Sequence, residues 1–181
     1  SEIPVYVFID NNAASAGALI SIACDSIYMR PGANIGAATV VNQEAEQMPD
    51  KYQSYMRSMM RSTAETNGRD PQIAQAMVDP DVIVEGISEE GKVLTFTTRE
   101  AIKNGFCEGE AESYQQVIKE YSEVPEARVV VQTLSATDKI IGVLISPFIS
   151  GILIMVIVGG IYFELQSPGM GFPSIAAITA A

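Results

Sequence analysis

The sequence predicts an α/β domain followed by an apolar, membrane-spanning tail. Strand-like and helix-like patterns alternate through most of the chain, which is typical of α/β folds. All eleven Lys and Arg residues lie between Arg30 and Lys139, and Glu164 is the only charged residue from Ile140 to Ala181. We therefore predict a folded domain over residues 1–135, a transmembrane helix over 140–163 and the start of a second apolar span over 174–181.

The first half of the domain reads as strand, helix, strand, loop and helix. Residues 4–10 form a continuous apolar run, typical of a strand buried on both faces. Small apolar residues over 14–24 predict a buried helix, and residues 25–29 predict a second short strand. Residues 30–36 contain Pro and Gly and predict a loop. Residues 50–66 predict an amphipathic helix whose apolar side is Tyr52, Tyr55, Met56, Met59, Met60 and Thr63.

The second half contains shorter elements with clear boundary signals. Asn67-Gly68 is expected to end the long helix, and Asp70-Pro71 to begin the next one. Residues 82–97 predict a hairpin around a turn at 89–92. Thr97 and Glu100 fit a capping box for a short helix that ends near 104–105. We expect a further helix over 113–121 and a Val-rich strand over 127–134.

The tail has the length and composition of a membrane span. Residues 140–163 are 24 residues without a charge, between Lys139 and Glu164. At about 1.5 Å per residue they reach roughly 36 Å, against a bilayer core of about 30 Å. The alternative is a buried core helix, but this run is too long for a small domain.

The overall composition limits the partners. A net charge of −11 argues against nucleic-acid binding, which needs a basic face, and against docking on an anionic membrane surface. Cys24 and Cys107 are predicted to be buried free thiols. There is no CxxC motif and no His/Cys cluster, so we predict no metal site and no cofactor.

Ser15 and Lys51 are the candidate catalytic residues. The chain has no histidine, so a serine nucleophile would need another base, and an unprotonated lysine is the common alternative. Ser15 follows a strand and a polar turn at the start of a helix. Free N–H groups at that position, such as that of Ala16, favour an oxyanion. The alternative for Ser15 is an ordinary helix N-cap.

Lys51 stands apart from the other four lysines. It lies at a helix start and beside a Met/Tyr-rich face, whereas the others lie in a turn, on short amphipathic helices or at the membrane boundary. A helix N-terminus and apolar surroundings both disfavour the charged amine, so we expect Lys51 to be able to accept a proton. The alternative is an ordinary surface lysine.

Several segments resemble the membrane-bound ClpP-class serine proteases of the NfeD family and, more distantly, signal peptide peptidase A. The similar segments are residues 14–17, 22–29, 31–37, 67–70, 98–107, 161–165 and 168–169. The resemblance implies a ClpP/crotonase-like fold, with Ser15 as the nucleophile and Lys51 as the catalytic lysine. The family's Gly-Gly loop, which supplies oxyanion N–H groups, has no match, so we expect the front half of the domain to precede Ser1.

The resemblance also implies a function and a location. We expect a membrane-anchored serine peptidase that cleaves apolar peptide segments near the membrane, with stomatin-like proteins as partners. We expect a homo-oligomer in the cell membrane, with its protease domain outside the cytoplasm. Two alternatives stay open, a crotonase-type acyl-CoA enzyme and an inactive membrane scaffold of the same fold.

Overall fold

The chain folds into two compact units, Ser1–Ala127 and Arg128–Ala181. The computed structural model describes residues 3–122, 126, 128–166 and 178–179. The strands are β1 (Tyr6–Ile9), β2 (Asn12–Ala14), β3 (Ser26–Met29), β4 (Asn34–Gly36), β5 (Thr95–Thr97) and β6 (Gly109–Glu110). The helices are α1 (Ala16–Ile22), α2 (Asp50–Thr66), α3 (Pro71–Ala76), α4 (Thr98–Lys103), α5 (Tyr114–Tyr121), α6 (Ala136–Leu144) and α7 (Pro147–Gln166).

The first unit contains two three-stranded sheets. One has the order β1-β3-β6 and is parallel throughout. The other has the order β2-β4-β5, in which β2 and β4 are parallel and β5 is antiparallel to β4. Helix α1 lies between β2 and β3 in the chain, as expected because parallel strands need a crossover connection. The α/β class is therefore confirmed.

The core of this unit is mostly aliphatic, with many small side chains, and its largest fully buried side chains are Phe96 and Phe106. Helix α2 lies against α1 and α3. Its buried side consists of Gln53, Met56, Met60 and Ala64. The predicted apolar side of this helix is thus only partly correct, since Tyr52 and Tyr55 are 41% and 67% exposed.

Most helix boundaries agree with the sequence signals because those signals are local. The Asp70 side chain accepts a hydrogen bond from the N–H of Gln72, and Pro71 is the first residue of α3. Thr97 and Glu100 form the expected capping box of α4. Gly68 and Gly105 follow the ends of α2 and α4 with φ of +70° and +72°, a conformation that suits glycine.

Three predictions in this unit and the segment after it are wrong. The predicted loop over 30–36 contains β4. Residues 82–92 form turns rather than a hairpin, because the Ser88 hydroxyl accepts from the N–H of Val84 and donates to the Val82 carbonyl in place of a strand partner. In the described part of 127–134, residues 128–134, there is no strand. The valines there are exposed, and β-propensity without a partner strand does not make a strand.

The second unit divides the predicted continuous helix in two. Helices α6 and α7 are separated at residues 145–146, immediately before Pro147. A proline lacks an N–H and disfavours helical geometry in the residue before it, which accounts for the break. Among the described residues no single helix is long and apolar enough to cross a membrane, while α6 and residues 147–163 meet these criteria only as a pair bent by 64°. Of the predicted second span, only residues 178 and 179 are described, and both are helical.

Candidate active site

Ser15 occupies the single residue between strand β2 and helix α1, and its backbone is strained. Its φ is 54° and its ψ is −118°. These angles are those of the first central residue of a type II′ turn, a position dominated by glycine. A side chain held in such a sparsely populated region typically marks a functional site. In α/β-hydrolases, the nucleophilic serine stands on a sharp, strained strand-to-helix turn of this kind.

Small residues on both sides make this sharp turn possible. Ala13, two residues before Ser15, is buried, and Gly17 lies two residues after it. A Cβ built on Gly17 would lie 3.5 Å from the Ala13 Cβ, which is ordinary van der Waals contact. Any larger side chain at Gly17 would extend toward the strand that leads into the turn. The Ala-Ala-Ser-Ala-Gly sequence thus lets the chain reverse while the Ser15 side chain stays exposed.

The Ser15 side chain does not cap the helix on which it stands. It occupies the N-cap position of α1, but it makes no side-chain capping hydrogen bond. Its backbone N–H instead donates to the carbonyls of Gly36 and Ala37, at 3.2 Å and 3.1 Å. The alternative interpretation of Ser15 as an N-cap is therefore contradicted by the side-chain hydrogen bonding.

The first turn of α1 contains an exposed N–H, that of Ala16. For the Ala16 N–H, the described residues provide no intramolecular acceptor, and Ala16 is exposed. The first N–H groups of a helix have no partner within the helix and carry partial positive charge. The N–H of Ala16 directly follows Ser15, where a tetrahedral oxyanion on a Ser15-bound carbonyl would need a donor.

The loop after β4 fixes the turn from the other side. Gly36 has a φ of +137°, and a Cβ at this position would lie 2.5 Å from the Leu94 carbonyl oxygen. Ala37, with a φ of 43°, donates its own N–H to that same carbonyl at 3.0 Å. The predicted loop over 30–36 includes Gly36, but the support that Gly36 and Ala37 give to Ser15 was not predicted. The available signal was the Gly-Ala pair directly after Asn34-Ile35.

Lys51 lies in the first turn of α2 and is exposed, which corrects the expectation of apolar surroundings. Its Nζ lies 4.8 Å from the centre of the Tyr52 ring, and that ring is itself partly exposed. Within the described part of the chain, no hydrogen bond joins Lys51 to Ser15. The structure thus places both residues at helix starts, without a hydrogen bond between their side chains.

Helix α2 is attached to the loop that supports Ser15. The buried Gln53 amide bonds the backbone of Val40, four residues after Gly36. Arg57 pairs with Asp50 at 2.8 Å and with Asp79 at 3.1 Å, and these carboxylates raise the pKa of its guanidinium. A polar cavity of about 730 Å³ adjoins these residues, but neither Ser15 nor Lys51 is among its lining residues.

The two cysteines do not offer an alternative nucleophile. Both are buried and free, as predicted. Burial raises the pKa of Cys107 to about 11 and also raises the pKa of Cys24, so both are thiols near neutral pH. Among the described residues, no group of three or more acidic or cysteine side chains is arranged to hold a metal ion.

Comparison with known proteins identifies the family. Residues 1–132 match the family described as NfeD1b, N-terminal domain. The chain belongs to this family. It is 35% identical over 181 residues to the membrane protein NfeD1b of Bacillus subtilis, covering 99% of this chain and 41% of that protein. It is 25% identical over 196 residues to the membrane-bound protease PH1510 of Pyrococcus horikoshii, covering 96% and 42%. The chain thus spans about two fifths of the length of both relatives.

Two solved structures of the 1510-N membrane-bound stomatin-specific protease have the same mixed α/β fold. A serine-to-alanine mutant is 28% identical, with a TM-score of 0.53 over 66% of this chain and 56% of that chain. A lysine-to-alanine mutant in complex with a substrate peptide is 25% identical, with a TM-score of 0.59 over 80% and 71%. The resemblance to the NfeD family is therefore confirmed, and the fold is confirmed as a mixed α/β fold similar to that of the 1510-N protease.

Proposed function

We propose that this NfeD1b-family chain carries a serine endopeptidase site in which Ser15 is the nucleophile, Lys51 the general base and the Ala16 N–H an oxyanion donor. The supporting observation is the strained Ser15 backbone, whose φ of 54° coincides with a side chain that makes no capping hydrogen bond. Backbone strain lowers stability, so a serine with only a structural role has no reason to adopt these angles. For a nucleophile, the same sharp turn exposes the hydroxyl to substrate. The names of the 1510-N structures, a protease with serine and lysine mutants, agree with this pair of residue types.

The chemistry requires one proton acceptor and one oxyanion donor. Neutral Lys51 takes the Ser15 hydroxyl proton as Oγ bonds to the substrate carbonyl carbon, and the Ala16 N–H donates to the oxyanion. Lys51 then gives its proton to the leaving amine as the C–N bond breaks. Water hydrolyses the resulting ester, its proton passing through Lys51 and back to Ser15. For this sequence of steps, the Lys51 side chain must leave Tyr52 and reach Ser15.

We further propose a ClpP/crotonase-like domain over residues 1–135, anchored to the membrane by residues 140–163, with 174–181 opening a second apolar span. Helices α6 and α7 would form the first anchor as a bent pair. The substrate would be an apolar peptide near the membrane, on a stomatin-like protein, outside the cytoplasm. The name of the 1510-N protease, stomatin-specific, supports this substrate class. We also propose that the anchored protein is a homo-oligomer.

A fluorophosphonate probe tests the proposed chemistry. The wild-type chain, purified in detergent, should be labelled on Ser15, and the adduct should be located by peptide mass spectrometry. Lys51→Ala and Lys51→Arg should both be labelled far more slowly, since arginine stays charged and cannot accept a proton. Rapid labelling of Lys51→Arg would remove Lys51 from the mechanism.

The same experiment separates the other two functions. An inactive scaffold would leave wild-type Ser15 unlabelled, and the exposed position of Lys51 is the observation that favours this outcome. Saturable binding of an acyl-CoA, without labelling, would indicate a crotonase-type enzyme.

A further inference from the structure

The one buried glutamine on helix α2, Gln53, has an amide that is nearly saturated with hydrogen bonds. Only 4% of Gln53 is exposed. Its Oε1 accepts from the Val40 N–H at 2.9 Å, and its Nε2 donates to the Val40 carbonyl at 2.7 Å and to the Met48 carbonyl at 3.1 Å. The side chain therefore pairs with the Val40 backbone as a neighbouring strand would, and uses its remaining donor on Met48.

These bonds connect the helix of Lys51 to the turn of Ser15. Lys51 is two residues before Gln53 on α2. Val40 is three residues after Ala37, whose carbonyl accepts the Ser15 N–H at 3.1 Å. The intervening chain is fixed as well, because Ala38 donates its N–H to the Met77 carbonyl at 2.6 Å. Only short, hydrogen-bonded stretches of backbone thus separate the two residues from the Gln53 amide.

Packing alone does not account for a glutamine at this position. Gln53 begins the buried row that continues with Met56 and Met60, at spacings of three and seven residues. A leucine or methionine would fill the same space without a polar group to desolvate. An amide is directional, so it fixes how α2 is placed and rotated against the Val40 backbone, which an apolar side chain does not.

We propose that Gln53 is a positioning residue that holds the first turn of α2, and with it Lys51, in register with the Ser15 turn. The proposal rests on the proposed Ser15–Lys51 chemistry and adds to it a residue that touches neither substrate nor the reacting atoms. Because base and nucleophile must meet at hydrogen-bond distance, a shift of α2 of about 1 Å is expected to slow the reaction about 10²-fold. The same shift would leave peptide binding at Ser15 largely unchanged.

The test compares three variants of the full chain in detergent. Gln53→Leu keeps the volume and removes all three hydrogen bonds. Gln53→Glu keeps the acceptor for the Val40 N–H, but only its protonated form can donate to a carbonyl. Gln116→Leu on α5 is the control, since it also removes a glutamine amide that accepts a backbone N–H, that of Glu112 at 2.8 Å. Each variant is assayed for its Tm, for its fluorophosphonate labelling rate, and for kcat and KM on an apolar peptide.

We expect Gln53→Leu to label about 10²-fold more slowly and to lose kcat rather than raise KM, at a temperature where its Tm shows it folded. Gln116→Leu should match the wild type. The rate of Gln53→Glu, divided by the wild-type rate at the same pH, should rise as the pH falls and the new carboxyl gains its proton. Division by the wild-type rate removes any pH dependence that the two proteins share. This includes any contribution from the other charged residues that line the cavity beside Gln53, which are Asp50, Arg57, Asp79 and Asp81.

Each other outcome overturns a distinct claim. If Lys51→Ala slows labelling and folded Gln53→Leu does not, the positioning role is wrong and the peptidase proposal stands. If Gln53→Leu does not fold, a Gln53→Glu rate ratio that is independent of pH overturns the positioning role. If Lys51→Ala labels as fast as the wild type, the base assignment and the role of Gln53 are both wrong.

Discussion

Helices α1 and α5 both have a serine at the N-cap position, yet the two serines differ in backbone conformation and in hydrogen bonding. Ser113 has extended backbone angles, φ −160° and ψ 159°, and its hydroxyl accepts from the Gln116 N–H at 3.3 Å. Ser15 has φ 54° and ψ −118°, and its hydroxyl accepts no helix N–H. One serine satisfies a donor of its own helix, and the other leaves the helix start open.

The difference teaches that residue type and position do not define the role of a serine at a helix start. Extended angles direct the hydroxyl back over the first turn, which is the capping geometry. With a φ of 54° and a ψ of −118°, Ser15 makes no capping hydrogen bond, and the Ala16 N–H has no acceptor among the described residues. The surrounding backbone must maintain these angles, here through the carbonyls of Gly36 and Ala37.

The largest expected effect is the loss of activity on replacing Ser15, but not Ser113, by alanine. Ser15→Ala should abolish fluorophosphonate labelling and peptide cleavage while the Tm stays close to that of the wild type, because no capping bond is lost. Ser113→Ala should leave the labelling rate unchanged and lower the free energy of unfolding by about 1 kcal/mol, the usual loss for a capped helix. The comparison fails if Ser15→Ala still cleaves the peptide, or if it loses as much stability as Ser113→Ala.

The next effect concerns the backbone that supports Ser15. Gly36→Ala places a Cβ 2.5 Å from the Leu94 carbonyl oxygen and requires a φ of +137°. We expect a loss of about 3 kcal/mol in the free energy of unfolding, measured in urea, and slower labelling of Ser15. Gly32→Ala is the matched control, since Gly32 also has a positive φ, +83°, but an added Cβ meets nothing within 4 Å. Equal losses in the two variants would show that strain alone, without the contact, sets the cost.

The elements whose signals are local could be predicted from the sequence. Helix α2 has the predicted bounds of 50–66, and the starts of α3 and α4 follow from Asp70-Pro71 and the Thr97–Glu100 capping box. Elements that depend on a distant partner could not. Strands β2, β4 and β6 have two or three residues each, too few for a periodic pattern. They form because the tertiary fold brings their partners alongside.

The candidate site divides in the same way. The choice of Ser15 needed only its setting of small residues after a strand and the absence of histidine from the chain. The strained φ and the support from Gly36 depend on β2 pairing with β4, which no local pattern indicates. The burial of Gln53 was not predicted, because a polar residue on an amphipathic helix is expected to lie on the exposed side. Its spacing of three from Met56, on the buried side, was the available signal.

A smaller effect, of opposite sign at the two serines, tests the strain itself. Ser15→Gly should raise the free energy of unfolding by about 1 kcal/mol, because glycine adopts φ 54° without strain and this gain exceeds its greater entropy loss on folding. Ser113→Gly should lower the free energy of unfolding by roughly a few tenths of a kcal/mol, since a capping hydroxyl is lost. Urea unfolding of both variants measures the two changes. A destabilised Ser15→Gly would mean that the turn is not strained.

The smallest expected effect is a pH dependence of stability at the capped start of helix α4, which the start of helix α1 should not show. The Glu100 carboxylate accepts from the N–H and the hydroxyl of Thr97, each at 2.9 Å. These hydrogen bonds hold the pKa of Glu100 below its usual value of 4.5. The bond from the Thr97 N–H has the larger effect, and the bond from the Thr97 hydroxyl has the smaller one. A carboxyl whose pKa is lowered by folding stabilises the fold above its unfolded pKa, and this contribution is lost as the pH falls through the folded pKa.

Amide hydrogen exchange of Thr97 and Ser15, followed from about pH 6 to about pH 3 and corrected for intrinsic rates, separates the two helix starts. Protection of the Thr97 N–H should fall as Glu100 gains its proton. Protection of the Ser15 N–H should not follow that titration, because its acceptors are the carbonyls of Gly36 and Ala37 and the first turn of α1 has no acidic residue. Glu100→Gln keeps an acceptor without a titrating group, so it should remove the pH dependence at Thr97. If Ser15 lost protection in step with Thr97 in the wild type and kept it in Glu100→Gln, the two helix starts would be coupled, and the Ser15 turn would not be held by backbone contacts alone.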